Sequence, residues 1–232
     1  MLRRSKTSAA SIFAIFGYGV PRNILRDDNY SRYLALVFNT VFAAAREQGE
    51  DAPLVVFCGG HTDCCPPFKR TEADEMRRAF KRLMRRKSVA RAVKGWRLVA
   101  ERKSLSTLEN LLHLRIVLGQ YHGRPRRVIV FCEYTRHQRI RTLSKKILKE
   151  RVRVVPIDFD QSPNRSLPLN FLRSKERAGL RHSLRALQSQ PNLKKHHALF
   201  QQKLNYFRKN RTRGHANVVY DWWSYQLKNF NE

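Results

Sequence analysis

Acidic residues follow short apolar runs in three places along this sequence. Glu101 and Glu133 each directly follow such a run, and Glu72 comes after a third run and a glycine pair. Carboxylates and imidazoles in a confined site perform general acid/base catalysis or bind the polar groups of a ligand. Glu72, Glu133 and the nearby His137 are therefore the candidate catalytic residues, although Glu133 and His137 equally suit ordinary helix capping.

Glycines stand where two of the apolar runs end. Gly17 and Gly19 follow the first run, and Gly59 and Gly60 follow the second. Glycine lets a backbone turn sharply and approach a ligand closely, although glycine pairs also mark many ordinary turns. We include all four among the candidate ligand-binding residues.

The segment from Ser106 to Asn110 has the spacing of a capping box, with Ser106 as the N-cap and Glu109 three residues later. A helix N-terminus also presents free N–H groups to phosphate or carboxylate, so capping and ligand binding are compatible. Ser106, Thr107, Glu109 and Asn110 join Glu101 and Glu133 as candidate ligand contacts.

Strand-like and helix-like segments alternate about five times, which predicts an α/β fold. We expect a Rossmann-like, mostly parallel sheet with helices on both faces, because the strands are continuously apolar. The carboxyl ends of parallel strands lie at one edge of a sheet and form a common crevice. The predicted strands are 11–16, 54–58, 96–100, 127–132 and 152–157. The predicted helices are 29–48, 71–86, one from 106 or 107 to about 118, and one from 135 to about 149.

Two regions are predicted. Residues 1–160 form the Rossmann-like domain, and residues 161–232 form a basic helical extension that packs on it, with helices over 174–187 and 193–209. The extension holds 14 Lys and Arg against 3 Asp and Glu, and Trp222 and Trp223 lie near its end.

The charge of the chain is strongly positive, with 47 Lys and Arg against 18 Asp and Glu and a formal net charge of +29. Such a potential favours polyanions, so an RNA- or DNA-binding protein is the alternative class. A general compositional bias would give the same excess. The basic residues proposed for that alternative are Arg77, Arg78, Lys81, Arg82, Arg85 and Arg86.

The sequence gives no support to several classes of protein. Four cysteines, two of them adjacent, give no disulfide framework and favour a reducing, cytoplasmic setting. No apolar run reaches the roughly 20 residues of a transmembrane helix. His61, Asp63, Cys64 and Cys65 lack the paired spacing of a zinc site, so no metal is predicted. Neither a P-loop nor a Gly-x-Ser-x-Gly elbow is present.

The order of motifs over residues 11–158 resembles the YdcF/SanA/ElyC family, a bacterial domain of unknown function. The motifs are Gly17-Tyr18-Gly19, Phe57–Gly60 followed by Thr71-Glu72-Ala73, Glu101 followed by Ser104–Asn110, and Val128–Phe131 followed by His137. The resemblance implies a Rossmann-like fold and a cleft for a nucleotide-type ligand, with S-adenosylmethionine binding in one member. Its site would use Gly59, Gly60, Glu72, Thr107, Glu109, Asn110 and His137.

This sequence departs from the family pattern in two ways. Cys132–His137 replaces the usual Thr-Ser before a Tyr-His pair, and the membrane anchor of the envelope members is absent. The leading hypothesis is a small-ligand protein that binds S-adenosylmethionine or another adenosine-containing or phosphorylated compound. It requires Glu72, Glu109 and Glu133 to converge in space.

Overall fold

The computed structural model describes residues 11–120, 127–149, 152–158 and 167–229, and it contains a five-stranded, all-parallel sheet in the order β3-β2-β1-β4-β5. The α/β, Rossmann-like prediction is confirmed. The strands are β1 (Ile12–Phe16), β2 (Leu54–Cys58), β3 (Arg97–Glu101), β4 (Val128–Glu133) and β5 (Val152–Ile157). The helices are α1 (Asp28–Glu47), α2 (Glu72–Met84), α3 (Thr107–Gly119), α4 (His137–Leu148), α5 (Leu169–Ala186), α6 (Gln190–Lys209) and α7 (His215–Asn229).

The three central strands are buried along their whole length, whereas the edge strands β3 and β5 are partly exposed. β1 pairs with β2 through Ile12 and Leu54, and with β4 through Ile12 and Val128. Because the chain moves from β1 towards β3 and then crosses to β4, the order reverses between β1 and β4. Ligands of open α/β sheets bind outside the carboxyl ends of the strands at such a reversal.

Helices cover both faces of the sheet, and each face has its own apolar core. α1 and α2 pack on one face around Tyr33, Phe38 and Phe80. α3 and α4 pack on the other face around Leu108 and Ile140. The apolar residues of α1, α2 and α4 lie on one side of each helix, which the sheet buries, so their sequence spacing predicts these helices.

The bounds of the four helices that flank the sheet differ from prediction by at most two residues. A 3-10 turn, Tyr134–Arg136, precedes α4, because the Glu133 side chain caps that turn by accepting from the Thr135 N–H at 3.0 Å. α4 therefore begins at His137 and not at Thr135. α3 ends at Gly119, one residue beyond its predicted end.

The C-terminal helices are longer than predicted, and a third one is present. α5 begins at Leu169, directly after Pro168, and α6 begins at Gln190 with a proline in its first turn. Proline at the start of a helix is favoured because the first N–H groups have no helical partner anyway. The sequence-based prediction took these prolines to interrupt helices, so it missed the first turns of α5 and α6.

The C-terminal helices pack on the Rossmann-like body through α4 and α5 and then on one another. Leu180, Leu184 and Leu187 of α5 extend the core beneath α3 and α4. The predicted boundary at 160/161 lies between 158 and 167, outside the described residues. None of the helices in the described part of the chain has the length and apolar character that a bilayer span requires.

The β2–α2 and β3–α3 loops touch at Gly60. The Gly60 N–H donates to the Ser104 carbonyl at 2.7 Å, and a Cβ at position 60 would lie 2.6 Å from that oxygen. Backbone atoms cannot move aside as a flexible side chain can, so only glycine fits.

We predict that Gly60→Ala lowers the free energy of unfolding by about 1–3 kcal/mol, because its methyl group separates the two loops. Urea denaturation measures this change. Gly119→Ala is the matched control, since nothing lies within 4 Å of its added Cβ; it should be neutral or stabilising by about 0.5–1 kcal/mol. Equal effects of the two substitutions would contradict the proposed contact.

Candidate functional site

A cavity of about 590 Å³ lies at the carboxyl edge of the sheet. Its floor comes from the loops that follow β1, β2, β3 and β4 and from the start of α2, and α5, α6 and α7 form its cover. The C-terminal extension is therefore part of the site.

Seven of the candidate ligand-binding residues line this cavity and four do not. Gly17, Gly19, Glu72, Ser106, Thr107, Asn110 and Glu133 line it. Gly59, Gly60, Glu101 and Glu109 are absent from its wall. The expected convergence of three glutamates is thus met by two, Glu72 and Glu133, while Glu109 faces α6.

The Glu72 carboxylate forms hydrogen bonds with neighbouring parts of its own chain. Its Oε1 accepts hydrogen bonds from the Tyr30 hydroxyl at 2.6 Å and from the Gly19 N–H. A Cβ at Gly17 or Gly59 would collide with the Glu72 side chain. Burial raises the pKa of Glu72 above its usual range, although the bonds from Tyr30 and Gly19 oppose this shift. Glu72 therefore fixes the loop after β1, and those glycines make room for it.

Glu101 organises the β3–α3 loop. Its carboxylate accepts from the Lys103 N–H at 2.6 Å, from the Ser104 N–H at 3.2 Å and from the Ser104 hydroxyl. The same hydroxyl contacts the Asn110 side chain. These contacts hold the loop that leads into α3.

Glu109 links α3 to the loop before it and to α6. Its Oε2 accepts from the Leu105 N–H at 2.6 Å, one residue before the Ser106 N–H that a capping box predicts. Its Oε1 lies 2.9 Å from His197 Nδ1 of α6. Ser106 caps α3 as expected, accepting from the Glu109 N–H.

His137 lies away from the cavity, at the start of α4. It contacts the backbone of Val154 in β5, and burial with the charge of Arg141 lowers its pKa. Acid/base chemistry in the cavity therefore has no support from His137.

Four basic side chains converge on the cavity: Arg136, Arg139, Lys175 and Lys203. Arg139 Nη2 donates to Thr107 Oγ1 at 2.9 Å, and Arg136 Nη1 donates to the Gly17 carbonyl at 2.7 Å. Both arginines are thereby positioned by the candidate loops. Among all lining residues, six are Lys or Arg and three are Asp or Glu.

Glu176 neutralises part of this charge from behind the wall. Its carboxylate lies 2.8 Å from Arg139 Nε and 3.3 Å from Lys175 Nζ. Burial favours the neutral acid, but Arg139, Lys175 and Arg136 outweigh it and lower the pKa of Glu176. The Glu176 carboxylate is thus the ion-pair partner of two of the four basic side chains, Arg139 and Lys175.

Lys203 has no carboxylate within ion-pair distance among the described residues. Its Nζ lies 5.2 Å from the ring centroids of Phe200 and Phe207 and 5.7 Å from that of Trp223. Burial, followed by the charges of Lys175, Arg136 and Arg139, lowers the pKa of Lys203 to about 7.

Polar contacts fasten α6 over the sheet edge. His196 Nε2 lies 2.8 Å from Ser106 Oγ, at the N-cap of α3. Arg208 donates to the carbonyl oxygens of Asp63 and His61, each at 3.0 Å. Asp63 is itself buried and paired with Arg70 at 2.8 Å. The cover is therefore joined to two of the loops that surround the cavity.

The basic residues of the site could not be predicted from the sequence. In a chain with 47 Lys and Arg, no single basic residue stands out as a candidate. A usable signal exists for Lys203. Phe200, Leu204 and Phe207 form the apolar stripe of α6 at helical spacing, and Lys203 lies within that stripe. A lysine on a buried face is unusual without a partner or a function.

No family model, curated protein or solved structure matches this chain. Within the described residues, no three His, Cys, Asp or Glu side chains group as metal ligands would. Cys64 lines the cavity as a free thiol whose pKa is raised by burial.

Lys203→Met tests how the unpaired amine affects folding. Its folded-state pKa lies below the 10.5 of an unperturbed lysine, so between those values the unfolded chain binds a proton that the folded chain lacks. Lys203 therefore destabilises the fold increasingly as the pH falls from about 10.5 to 7. We predict that the substitution raises the free energy of unfolding by about 1–3 kcal/mol at pH 7, with a smaller gain at pH 10.

Chemical denaturation at both pH values, with Lys81→Met as an exposed control, measures the effect. A loss of stability at pH 7 would show that the aromatic rings hold Lys203 as a stabilising cation.

Proposed function

We propose that this protein binds a small phosphorylated, nucleotide-type molecule in the cavity at the carboxyl edge of its sheet. The observation that carries the proposal is the convergence of Arg136, Arg139, Lys175 and Lys203 on the cavity, where Glu176 lies within ion-pair distance of Arg139 and Lys175. The lining holds twice as many Lys and Arg as Asp and Glu. Keeping such an excess of positive charge partly away from water is costly, and an anionic ligand would offset that cost.

The shape and surroundings of the cavity support the same ligand class. Its volume of about 590 Å³ lies within the roughly 300–1,000 Å³ of small-molecule sites. The N-terminus of α3, with Thr107 on the wall, adds N–H groups that favour phosphate. Tyr18, Phe207 and Trp223 provide aromatic surface for a base or another apolar part.

The charge of the lining favours phosphate compounds over S-adenosylmethionine. The sulfonium of that molecule is a cation, and like charges repel strongly where water is excluded. The resemblance to the YdcF/SanA/ElyC family belongs to this proposal, since its glycine and Ser-Thr-x-Glu-Asn motifs lie at this sheet edge.

Isothermal titration with pyrophosphate, ATP and S-adenosylmethionine tests the proposal. We expect binding of pyrophosphate and ATP and a weaker or silent response to S-adenosylmethionine. Lys175→Met should weaken pyrophosphate binding by roughly tenfold or more, because a hydrogen bond to a charged group contributes about 1.5–3 kcal/mol. Glu176 keeps its pair with Arg139 in this variant, so folding should persist.

Lys81→Met removes the same charge from the exposed surface of α2 and should leave these affinities unchanged. Silent titrations with both phosphate compounds would overturn the proposal. Equal losses in Lys175→Met and Lys81→Met would indicate a general charge effect without a site.

A second candidate function, nucleic-acid binding, is favoured by the outer face of α2. Arg77 and Arg78 pair with Asp74 and Glu75 at 2.9 and 3.0 Å. Lys81, Arg82, Arg85 and Arg86 are exposed, and none forms an ion pair with another described residue. We propose that this basic surface, remote from the cavity, contacts phosphates along an RNA or DNA strand.

Filter binding to single-stranded RNA at two salt concentrations tests this second function. For about four phosphate contacts, raising salt from about 50 to about 200 mM should weaken binding by roughly fiftyfold to hundredfold. Lys81→Gln/Arg85→Gln should reduce the salt dependence, whereas Lys194→Gln/Lys195→Gln, on the exposed side of α6, should not. No measurable retention at low salt would rule the function out.

A further inference from the structure

Lys203 is a primary amine placed at an apolar wall of a cavity. It lies near the middle of α6, and Phe200, Phe207 and Trp223 surround its Nζ at 5.2–5.7 Å from their ring centroids. Leu204 continues the apolar stripe beside it. The rings limit the access of water to the amine but leave it on the cavity wall.

The charged groups around Lys203 disfavour its protonation. Lys175 of α5, Arg136 before α4 and Arg139 of α4 act against the ammonium form. Cys64, in the loop after β2, acts in the opposite direction. Glu72 at the start of α2 and His215 at the start of α7 also interact electrostatically with Lys203. A lysine near other cations in an apolar site is a better nucleophile than an exposed lysine, because more of it is unprotonated at neutral pH.

Fixed cations next to this amine would bind an anionic group of the same ligand. Arg139 and Lys175 are held by Glu176, and Arg136 is held by the Gly17 carbonyl, so none depends on Lys203 for its position. Lys175 Nζ and Lys203 Nζ lie 6.0 and 5.7 Å from the centroid of the same Trp223 ring. A ligand bound by the fixed cations would therefore place its neighbouring atoms at the amine.

We propose that Lys203 is a nucleophilic amine that forms an imine with an aldehyde or ketone carrying a phosphate or carboxylate group. This inference rests on the proposed anion site, since Arg136, Arg139 and Lys175 would bind the anionic group. Imine formation at a lysine is an established form of covalent catalysis.

The chemistry balances without a further reactant. The Nζ lone pair attacks the carbonyl carbon, forming the C–N bond while the carbonyl oxygen gains a proton. The carbinolamine then loses that oxygen as water, and the two protons of the neutral amine leave with it. His215 lines the cavity, and an imidazole can accept and return the protons that move in these steps.

Reductive trapping on the intact chain tests this inference. Glyoxylate, an anionic aldehyde, and acetaldehyde, a neutral one, are each added with sodium cyanoborohydride, and labelled lysines are identified by peptide mass spectrometry. At pH 7 we expect glyoxylate to label Lys203 at least tenfold faster than exposed Lys81. Acetaldehyde should show a smaller preference, because it lacks the group that the fixed cations bind.

Two variants test whether the labelling occurs at Lys203 and whether it depends on the neighbouring positive charge. Lys175→Met should remove most of the preference for glyoxylate and move the half-maximal pH of Lys203 labelling upwards, because one neighbouring charge is lost. Lys203→Met should lose the labelled peptide, with circular dichroism confirming its fold. Lys81→Met, outside the cavity, should leave both the labelling of Lys203 and pyrophosphate binding unchanged.

Labelling of Lys203 no faster than that of Lys81, or with a half-maximal pH near 10, would overturn the proposal. Pyrophosphate titration of the same wild-type sample distinguishes the two failures. Pyrophosphate binding without selective labelling would refute the reactive amine and leave the anion site standing. Absence of both would refute the anion site as well.

Discussion

The loops at the carboxyl edge of the sheet depend on buried carboxylates that accept hydrogen bonds from the backbone. Glu72 accepts from Gly19, Glu101 from Lys103 and Ser104, Glu109 from Leu105, and Glu133 from Thr135. Each such bond satisfies an N–H group that a tight βα turn leaves without a helical or strand partner. The acidic residues therefore shape the cleft, and their side chains are engaged in hydrogen bonds within the chain.

This use of the acids determines the charge of the cavity. Because these carboxylates accept hydrogen bonds from the loops, the charge in excess at the cavity wall is positive. It includes Arg136, Arg139, Lys175 and Lys203, two of which come from the C-terminal cover. The cover also brings Phe207 and Trp223, which lower the local polarity and strengthen electrostatic contacts. The sheet edge thus supplies loops fixed by carboxylates, and the C-terminal helices supply two of the basic side chains and the aromatic surface.

The sequence predicts the sheet edge well, because strand runs and helix starts are local patterns. Gly17, Glu72, Thr107 and Glu133 are brought to one cavity as parallel topology requires. The direction in which a side chain points is not determined by the local sequence. Glu109 contacts the Leu105 N–H and His197, so its position in the motif wrongly predicts that it faces the cavity. Lys175 and Lys203 lie far along the chain from the loops they face, and no periodic pattern specifies how α5 and α6 cross the edge.

The balance of charge argues against a purely structural network. Arg139 and Lys175 share Glu176, an arrangement that satisfies buried ions and needs no ligand. Lys203 adds a fourth positive group beside them without a carboxylate of its own among the described residues, although a methionine would fill the same aromatic surroundings at lower electrostatic cost. Folding alone does not explain a lysine at this position. The proposed anion site would explain it, because a positive group without a nearby counterion stabilises a bound anion more than it stabilises the empty protein.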